Sequence, residues 1–157
     1  MSPITVSILP PDRAIRSLAA AWSIKAWRDS FPNDTAQWYL NLYKTGDFRS
    51  GLPVTVSALL GTKLIGIGSL VSDDELPGSN EPGPWLAAIF VTPKHRRLGA
   101  GRMIVHELLD HAVALGYREV FAYTENKLQW YQKMDWEFLR TATVANHPVS
   151  VIKKSLY

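Results

Sequence analysis

A chain of 157 residues, 46% apolar and 20% charged, excludes a disordered or low-complexity polymer. Its 17 basic and 14 acidic side chains leave a net charge of only +3, too balanced to mark a nucleic-acid binder by composition alone. With no cysteine, a disulfide scaffold, a thiolate zinc site and a cysteine nucleophile are all excluded.

The length suits a single domain over residues 1–157, able to bury roughly 68–70% of its unfolded surface. Met1 to Pro11 lacks the basic start and apolar core of an export signal. No apolar run approaches the roughly 18 residues that span a bilayer. The expectation is a soluble cytoplasmic protein with no membrane partner.

Ile4 to Leu9 alternates weakly before Pro10 and Pro11 and reads as a first strand. Asp12 caps a helix carrying Ile15, Leu18, Ala19, Trp22 and Ala26 on one side. Pro32 interrupts, and Asp34 or Thr35 starts a second helix with Trp38, Leu42 and Tyr43 as apolar contacts. Val54, Val56, Ala58 and Leu60 alternate as a strand, Gly61-Thr62-Lys63 turns, and Leu64 to Val71 returns as a hairpin. Residues 73–84 hold the acids Asp73, Asp74, Glu75 and Glu81 and end in Pro82-Gly83-Pro84, so they form a loop. Trp85 to Val91 is an almost unbroken apolar run, the pattern of a central strand buried on both faces.

Pro93 ends that strand. Gly99 to Leu115 reads as a helix through Met103, Ile104, Leu108, Leu109, Ala112 and Leu115, and Gly116 stops it. Glu119 to Tyr123 is a strand and Leu128 to Met134 a short helix. Trp136 to Val144 and Val149 to Leu156 are final strands that turn near Asn146-His147-Pro148. The class is α+β: a six- to seven-stranded sheet with about four helices.

The chemistry gathers where the buried strand turns into the helix. Lys94, His95, Arg96, Arg97 and Arg102 fall within nine residues, interleaved with Gly99 and Gly101. A helix start offers unpaired N–H groups and the positive end of a dipole, glycines admit a ligand to the backbone, and arginines add charge. Together they make a site for phosphate oxygens. The spacing matches neither the triphosphatase loop, which needs Gly-Lys-Ser or Gly-Lys-Thr, nor the three-glycine dinucleotide fingerprint. The plainer alternative is a strand-to-helix turn with packing glycines and solvated arginines.

Val91-x-Pro93-x-x-Arg96-Arg97-x-Gly99-x-Gly101, between a strand and a helix, resembles the coenzyme A motif of the GNAT superfamily of N-acetyltransferases. Trp130-Tyr131-Gln-Lys-Met134-Asp135-Trp136 is similar to that family's Tyr-x-x-x-Gly-Phe segment. Pro84-Trp85-Leu86-Ala87 resembles the opening of the fourth strand in small bacterial members. Asp135 stands where the family usually has glycine, and aspartate tolerates the left-handed conformation better than most residues.

The resemblance implies a mixed, mostly antiparallel sheet splayed between its fourth and fifth strands, with acetyl-CoA as co-substrate in the gap. It implies that the backbone of Ile89, Phe90 and Val91 pairs with the pantetheine arm, a fourth-strand N–H such as that of Phe90 polarising the thioester. The amides of Arg97, Leu98, Gly99, Ala100, Gly101 and Arg102 would hold the pyrophosphate, with Arg96 beside them. Thr124, seven residues before Tyr131, would face the coenzyme or the substrate. Tyr131 would be the general acid for the leaving thiolate; the alternative is an aromatic that packs beside Trp130.

The implied reaction moves an acetyl group to a primary amine of a small molecule or peptide by direct attack, without a nucleophilic triad. The base is undecided among Asp73, Asp74, Glu75 and Glu81, which equally suit a solvated turn. His106 and His111 lie on the polar face of the coenzyme helix, and the four histidines have no metal-ligand spacing, so no metal is expected. Trp22, Trp27, Phe31, Trp38 and Tyr39 are mostly core, with one or two candidates for the acceptor pocket or a homodimer contact. Two rival readings are a non-catalytic coenzyme A sensor and a basic nucleic-acid module. The isolation of the arginine cluster and the lack of aromatic–basic interleaving count against the latter.

Overall fold

The computed structural model describes residues 3–10, 12–28, 31, 33–43, 51–74 and 76–157. The expectations for Met1, Pro11, Pro32, Glu75 and the Leu42 side chain lie outside what is described. In chain order the elements are β1 (Ile4–Ile8), α1 (Arg13–Trp27), α2 (Ala36–Leu42), β2 (Val54–Leu60), β3 (Lys63–Val71) and β4 (Trp85–Val91). After a short 3-10 turn at Pro93–His95 come α3 (Ala100–Ala114), β5 (Glu119–Thr124), α4 (Leu128–Gln132), β6 (Glu137–Val144) and β7 (His147–Ser155). The strands form one seven-stranded sheet in the order β1-β2-β3-β4-β5-β7-β6. Every pairing is antiparallel except β4 with β5.

Local chemistry sets the element ends. Asp12 accepts the Ile15 N–H at 3.0 Å to start α1. Thr35, rather than Asp34, caps α2 by accepting the Trp38 N–H at 3.1 Å. The last hairpin turns at Ala145 and Asn146, with φ of 48° and 67°, so β7 begins at His147, two residues before the expected Val149. Its Pro148 pairs with Thr143 near the strand start, where a missing N–H is tolerated.

Three apolar clusters hold the sheet. On one face α3 buries Ile104, Val105, Leu108 and Ala112 against Val56, Ile65, Leu70, Val120 and Ile152, with α4 beside it. On the other face α1 and α2 cover β2 and β3 through Ala19, Ala20, Tyr39 and Tyr43. Farther along that face Leu76, from the β3–β4 loop, covers Trp85, Phe121, Val149 and Val151. Glu81 ties this loop across the sheet to Arg140 of β6 at 2.5 Å. Several expected core positions are exposed, namely Leu18, Ala26, Trp38, Met103 and Leu115, and Tyr39 takes the inward position in α2. The correction is one of helix phase: burial of Ala19, Ala20 and Ser23 rotates Leu18 of α1 outward.

The close approach of α3 to β3 depends on glycine. A β-carbon on Gly68 would lie 2.5 Å from Ile104 Cγ2 and 2.6 Å from Ile89 Cδ1. Gly68→Ala is therefore expected to lower stability by about 1–3 kcal/mol, read as a reduced urea midpoint at unchanged slope. A midpoint equal to that of the unsubstituted protein would mean that α3 moves aside at no cost.

Candidate active site

The site begins with a break in the sheet. β4 and β5 pair at the Trp85–Phe121 bridge, where the Phe121 N–H donates to Pro84 O at 2.9 Å. Among the described residues no further β4–β5 pair follows, while β4 goes on pairing with β3 as far as Val91. The expectation of a strand buried on both faces holds for Trp85 and Leu86 only; residues 87–91 are half-buried because they border the opening.

A bulge sets the direction of β4 along this edge. Ala87 pairs with Ser69 and Phe90 with Ile67, so Ala88 and Ile89 together oppose Gly68. Ala88 takes a positive φ of 58°. The extra residue reverses the alternation: Leu86, Ile89 and Val91 all join the α3 cluster, whereas Phe90 joins the α1/α2 cluster. The Thr92 N–H donates to Ile65 O at 2.9 Å, which fixes the phase of the ladder. Backbone groups of Phe90 thus face β3, and those of Ile89 and Val91 face the opening. The expectation that the Phe90 N–H would serve a ligand is corrected accordingly: the ladder uses it.

Beyond β4 the chain makes the basic turn. Arg97 has φ 69° and Gly99 φ 89°, both left-handed. Gly99 caps α3, and the Met103 N–H to Gly99 O bond, 3.1 Å, is the first of the helix. The N–H groups of Ala100, Gly101 and Arg102 are thus left without intrahelical partners. The side chains of Lys94, Arg97, Leu98 and Arg102 are exposed around them, and Ala100 is buried. Arg96 is more committed than its sequence position suggests. Its Nε donates to Val91 O at 2.9 Å, and its guanidinium lies 5.6 Å from the Phe90 ring centre. His95 Nδ1 is 2.7 Å from the Thr92 hydroxyl. Trp130, which the sequence marks only as a neighbour of Tyr131, closes over this turn. A β-carbon on Gly101 would lie 3.3 Å from its ring, a contact that no periodicity signals.

Tyr131 lies on α4, in the core cluster on the α3 side of the sheet. Its ring is held edge-on between Trp130 and Trp136, with centroids 4.9 and 5.2 Å away. The residue is only 7% exposed. Burial, with a smaller contribution from the Asp74 charge, pushes its hydroxyl well above the usual phenol range, so it stays protonated at neutral pH. The turn after α4 is formed by Asp135 at φ 67°, the left-handed conformation expected of it. Asp135→Gly is expected to fold, to keep its activity and to stay within about 1 kcal/mol in stability, relief of strain offsetting unfolded-state entropy. A thermal melt and an activity assay check this, and loss of folding would reveal a specific contact by Asp135.

The remaining candidates separate. The Thr124 hydroxyl accepts the Lys127 N–H at 3.0 Å and so shapes the entry to α4. Glu81 is a structural partner of Arg140. The Asp74 backbone carbonyl accepts the Tyr123 hydroxyl at 3.4 Å, which ties the β3–β4 loop to β5. His111 pairs with Glu107 at 3.4 Å, and His106 is exposed. Among the described residues no group of three or more His, Asp or Glu is arranged to hold a metal. Trp22 and Trp27 pack on Phe90, with ring centres 5.6 and 6.3 Å away, within the α1/α2 cluster.

A half-open parallel pair, a bulged strand edge and a glycine-capped helix start define an acyl-coenzyme A fold. The family model described as the acetyltransferase (GNAT) family matches residues 13–136. The chain belongs to that family and is an acetyl-CoA-dependent acetyltransferase. A comparison with curated protein sequences gives no match. Among solved structures it is similar to an aminoglycoside 6'-N-acetyltransferase complexed with coenzyme A, at a TM-score of 0.79 and 11% identity over 98% of this chain and 97% of the other. The aminoglycoside 6'-N-acetyltransferase of Enterococcus faecium gives 0.75 at 12% identity, again over 98% and 97%. An N-acetyltransferase of Staphylococcus aureus Mu50 gives 0.70 at 14% identity over 99% and 100%. At these identities the likeness is one of fold.

Proposed function

We propose that the protein transfers the acetyl group of acetyl-CoA to a primary amine of a small molecule or peptide by direct attack of the amine. The observation that carries the acid role is the Tyr131 hydroxyl, carried by a buried residue, held protonated and without a hydrogen-bond partner among the described residues. The fit to the co-substrate rests on two features. The free N–H groups of Ala100, Gly101 and Arg102, ringed by exposed Lys94, Arg97 and Arg102, suit a pyrophosphate. The backbone groups of Ile89 and Val91 along the opening suit the amides of a pantetheine arm, with Leu98 and Thr124 at its margins.

When bound, acetyl-CoA supplies an activated thioester. The protein's residues do the rest. Ile89 or Val91 N–H polarises the carbonyl, and Tyr131 gives its proton to the departing sulfur. The phenol is the weaker acid of the pair, so this transfer is uphill and is coupled to breakage of the carbon–sulfur bond. The absence of cysteine suits a reducing compartment, and we place the reaction in the cytoplasm.

Titration with acetyl-CoA, followed by turnover with a panel of primary amines, tests this reading. Binding and turnover are expected. Binding without turnover on any amine would point instead to a coenzyme A sensor.

A further inference from the structure

One backbone carbonyl along the opening is engaged by the chain's own side chain. Val91 is the last residue of β4 and stands opposite Gly66. On either side of it Phe90 pairs with Ile67, and the Thr92 N–H donates to Ile65 O at 2.9 Å. The N–H and carbonyl of Val91 therefore turn away from β3, toward the opening. The 3-10 turn then doubles the chain back: the His95 N–H donates to Thr92 O at 2.9 Å, and His95 Nδ1 lies 2.7 Å from the Thr92 hydroxyl. This brings Arg96 over the strand end, where its Nε–H donates to Val91 O at 2.9 Å.

The Arg96 guanidinium also lies 5.6 Å from the centre of the Phe90 ring, a ring that belongs to the α1/α2 cluster. No carboxylate pairs with Arg96 among the described residues, so its charge is held by one neutral carbonyl and one ring face. The neighbouring cations differ. Lys94, Arg97 and Arg102 are exposed and make no side-chain hydrogen bond to β4. Of the cations in the basic turn, Arg96 alone is engaged on the strand that the pantetheine arm is to pair with.

We infer that Arg96 and the pantetheine arm compete for Val91 O, and that this competition makes the protein select a phosphate-bearing coenzyme over a phosphate-free thioester. This rests on the assignment of the α3 turn to pyrophosphate and of the β4 edge to pantetheine, and adds the selecting residue to it. An arm that brings its amide N–H to Val91 O must share or displace a charge-assisted bond, so the arm alone gains little there. A pyrophosphate at the start of α3, three residues beyond Arg96, offers the guanidinium an anionic acceptor that its planar fork matches. Arg96 then moves to phosphate, Val91 O is released, and the arm completes its pairing. No covalent bond changes in this step.

The test compares the affinities of acetyl-CoA and S-acetylpantetheine in the unsubstituted protein, in Arg96→Met and in Arg97→Met. Calorimetry reads the first ligand directly and the second by displacement. Methionine keeps an apolar stem over Phe90 and removes the donor. In Arg96→Met, S-acetylpantetheine should bind about three- to tenfold more tightly, the worth of one hydrogen bond. Acetyl-CoA should bind more weakly, because the arginine leaves Val91 only if it gains more at phosphate. The preference for acetyl-CoA over S-acetylpantetheine should therefore shrink by at least about tenfold. Arg97→Met should weaken acetyl-CoA without strengthening S-acetylpantetheine. If S-acetylpantetheine binds Arg96→Met no more tightly, while Arg97→Met still weakens acetyl-CoA, the competition is overturned and the coenzyme site stands. Tighter binding of both ligands to Arg96→Met makes the arginine a plain obstruction and overturns the selection. Acetyl-CoA affinity unmoved in both variants overturns the site assignment together with the proposal.

Discussion

Tyr131→Phe lowers kcat about a hundredfold and leaves acetyl-CoA affinity within about twofold. The prediction separates two roles that the structure gives this residue. The ring is wedged between Trp130 and Trp136 in edge-on contacts, and phenylalanine keeps those contacts. The hydroxyl has no hydrogen-bond partner among the described residues, so removing it costs the fold little. What is lost is the proton donor. General-acid assistance is worth roughly 10²–10⁴-fold, and a thiolate is already a fair leaving group, which favours the lower figure. The measurement is the steady-state rate across pH beside a binding titration. Because burial raises the hydroxyl above its usual range, it should stay protonated while the acceptor amine loses its proton. Rates equal to those of the unsubstituted protein across pH would reduce Tyr131 to a packing residue.

Gly99→Glu is expected to abolish measurable acetyl-CoA binding, a loss of at least about a hundredfold in affinity, while the protein still folds. A β-carbon at Gly99 meets no atom within 4 Å, so the side chain has room. The backbone cost comes from φ 89°, and for a non-glycine residue it is about 1–2 kcal/mol. The functional cost is much larger, because the new carboxylate stands at a helix N-terminus where phosphate charge should sit. Gly99→Ala isolates the first cost from the second: it should lower the melting temperature similarly and weaken binding far less. Calorimetry on both variants decides, and full affinity in Gly99→Glu would move the pyrophosphate elsewhere.

The cap position of Gly99 is legible in the amino-acid sequence because its chemistry is local, whereas Tyr131 is marked there only by the resemblance of its segment to the Tyr-x-x-x-Gly-Phe pattern. Gly99 follows a strand and a proline and precedes a periodic helix, so its place at a helix cap is readable from its neighbours along the chain. The role of Trp130 is not. Its ring lies on Gly101, 29 residues away, through a contact that exists only once α3 and α4 lie side by side. Arg96 is similar: its spacing suggests phosphate, while proximity to Val91 O and Phe90 decides where its guanidinium rests.

Element order and the basic glycine turn follow from the chain alone, because each depends on propensity, periodicity and turn chemistry over a few residues, and the left-handed Asp135 follows from the resemblance that puts it where glycine is usual. Which edge of β4 is open depends instead on packing between distant segments. The bulge at Ala88 shifts the alternation by one residue in an apolar run, where either phase satisfies the hydrophobic pattern equally, and the choice falls to packing against Gly68 and Ile104. The same holds for the acids, because Glu81 and Asp74 look alike in a loop. A partner 59 residues away makes Glu81 a strap, whereas Asp74 meets the Tyr123 hydroxyl through its backbone carbonyl. Charge and type are properties of a residue, but the partner that gives a carboxylate its role is a property of the fold.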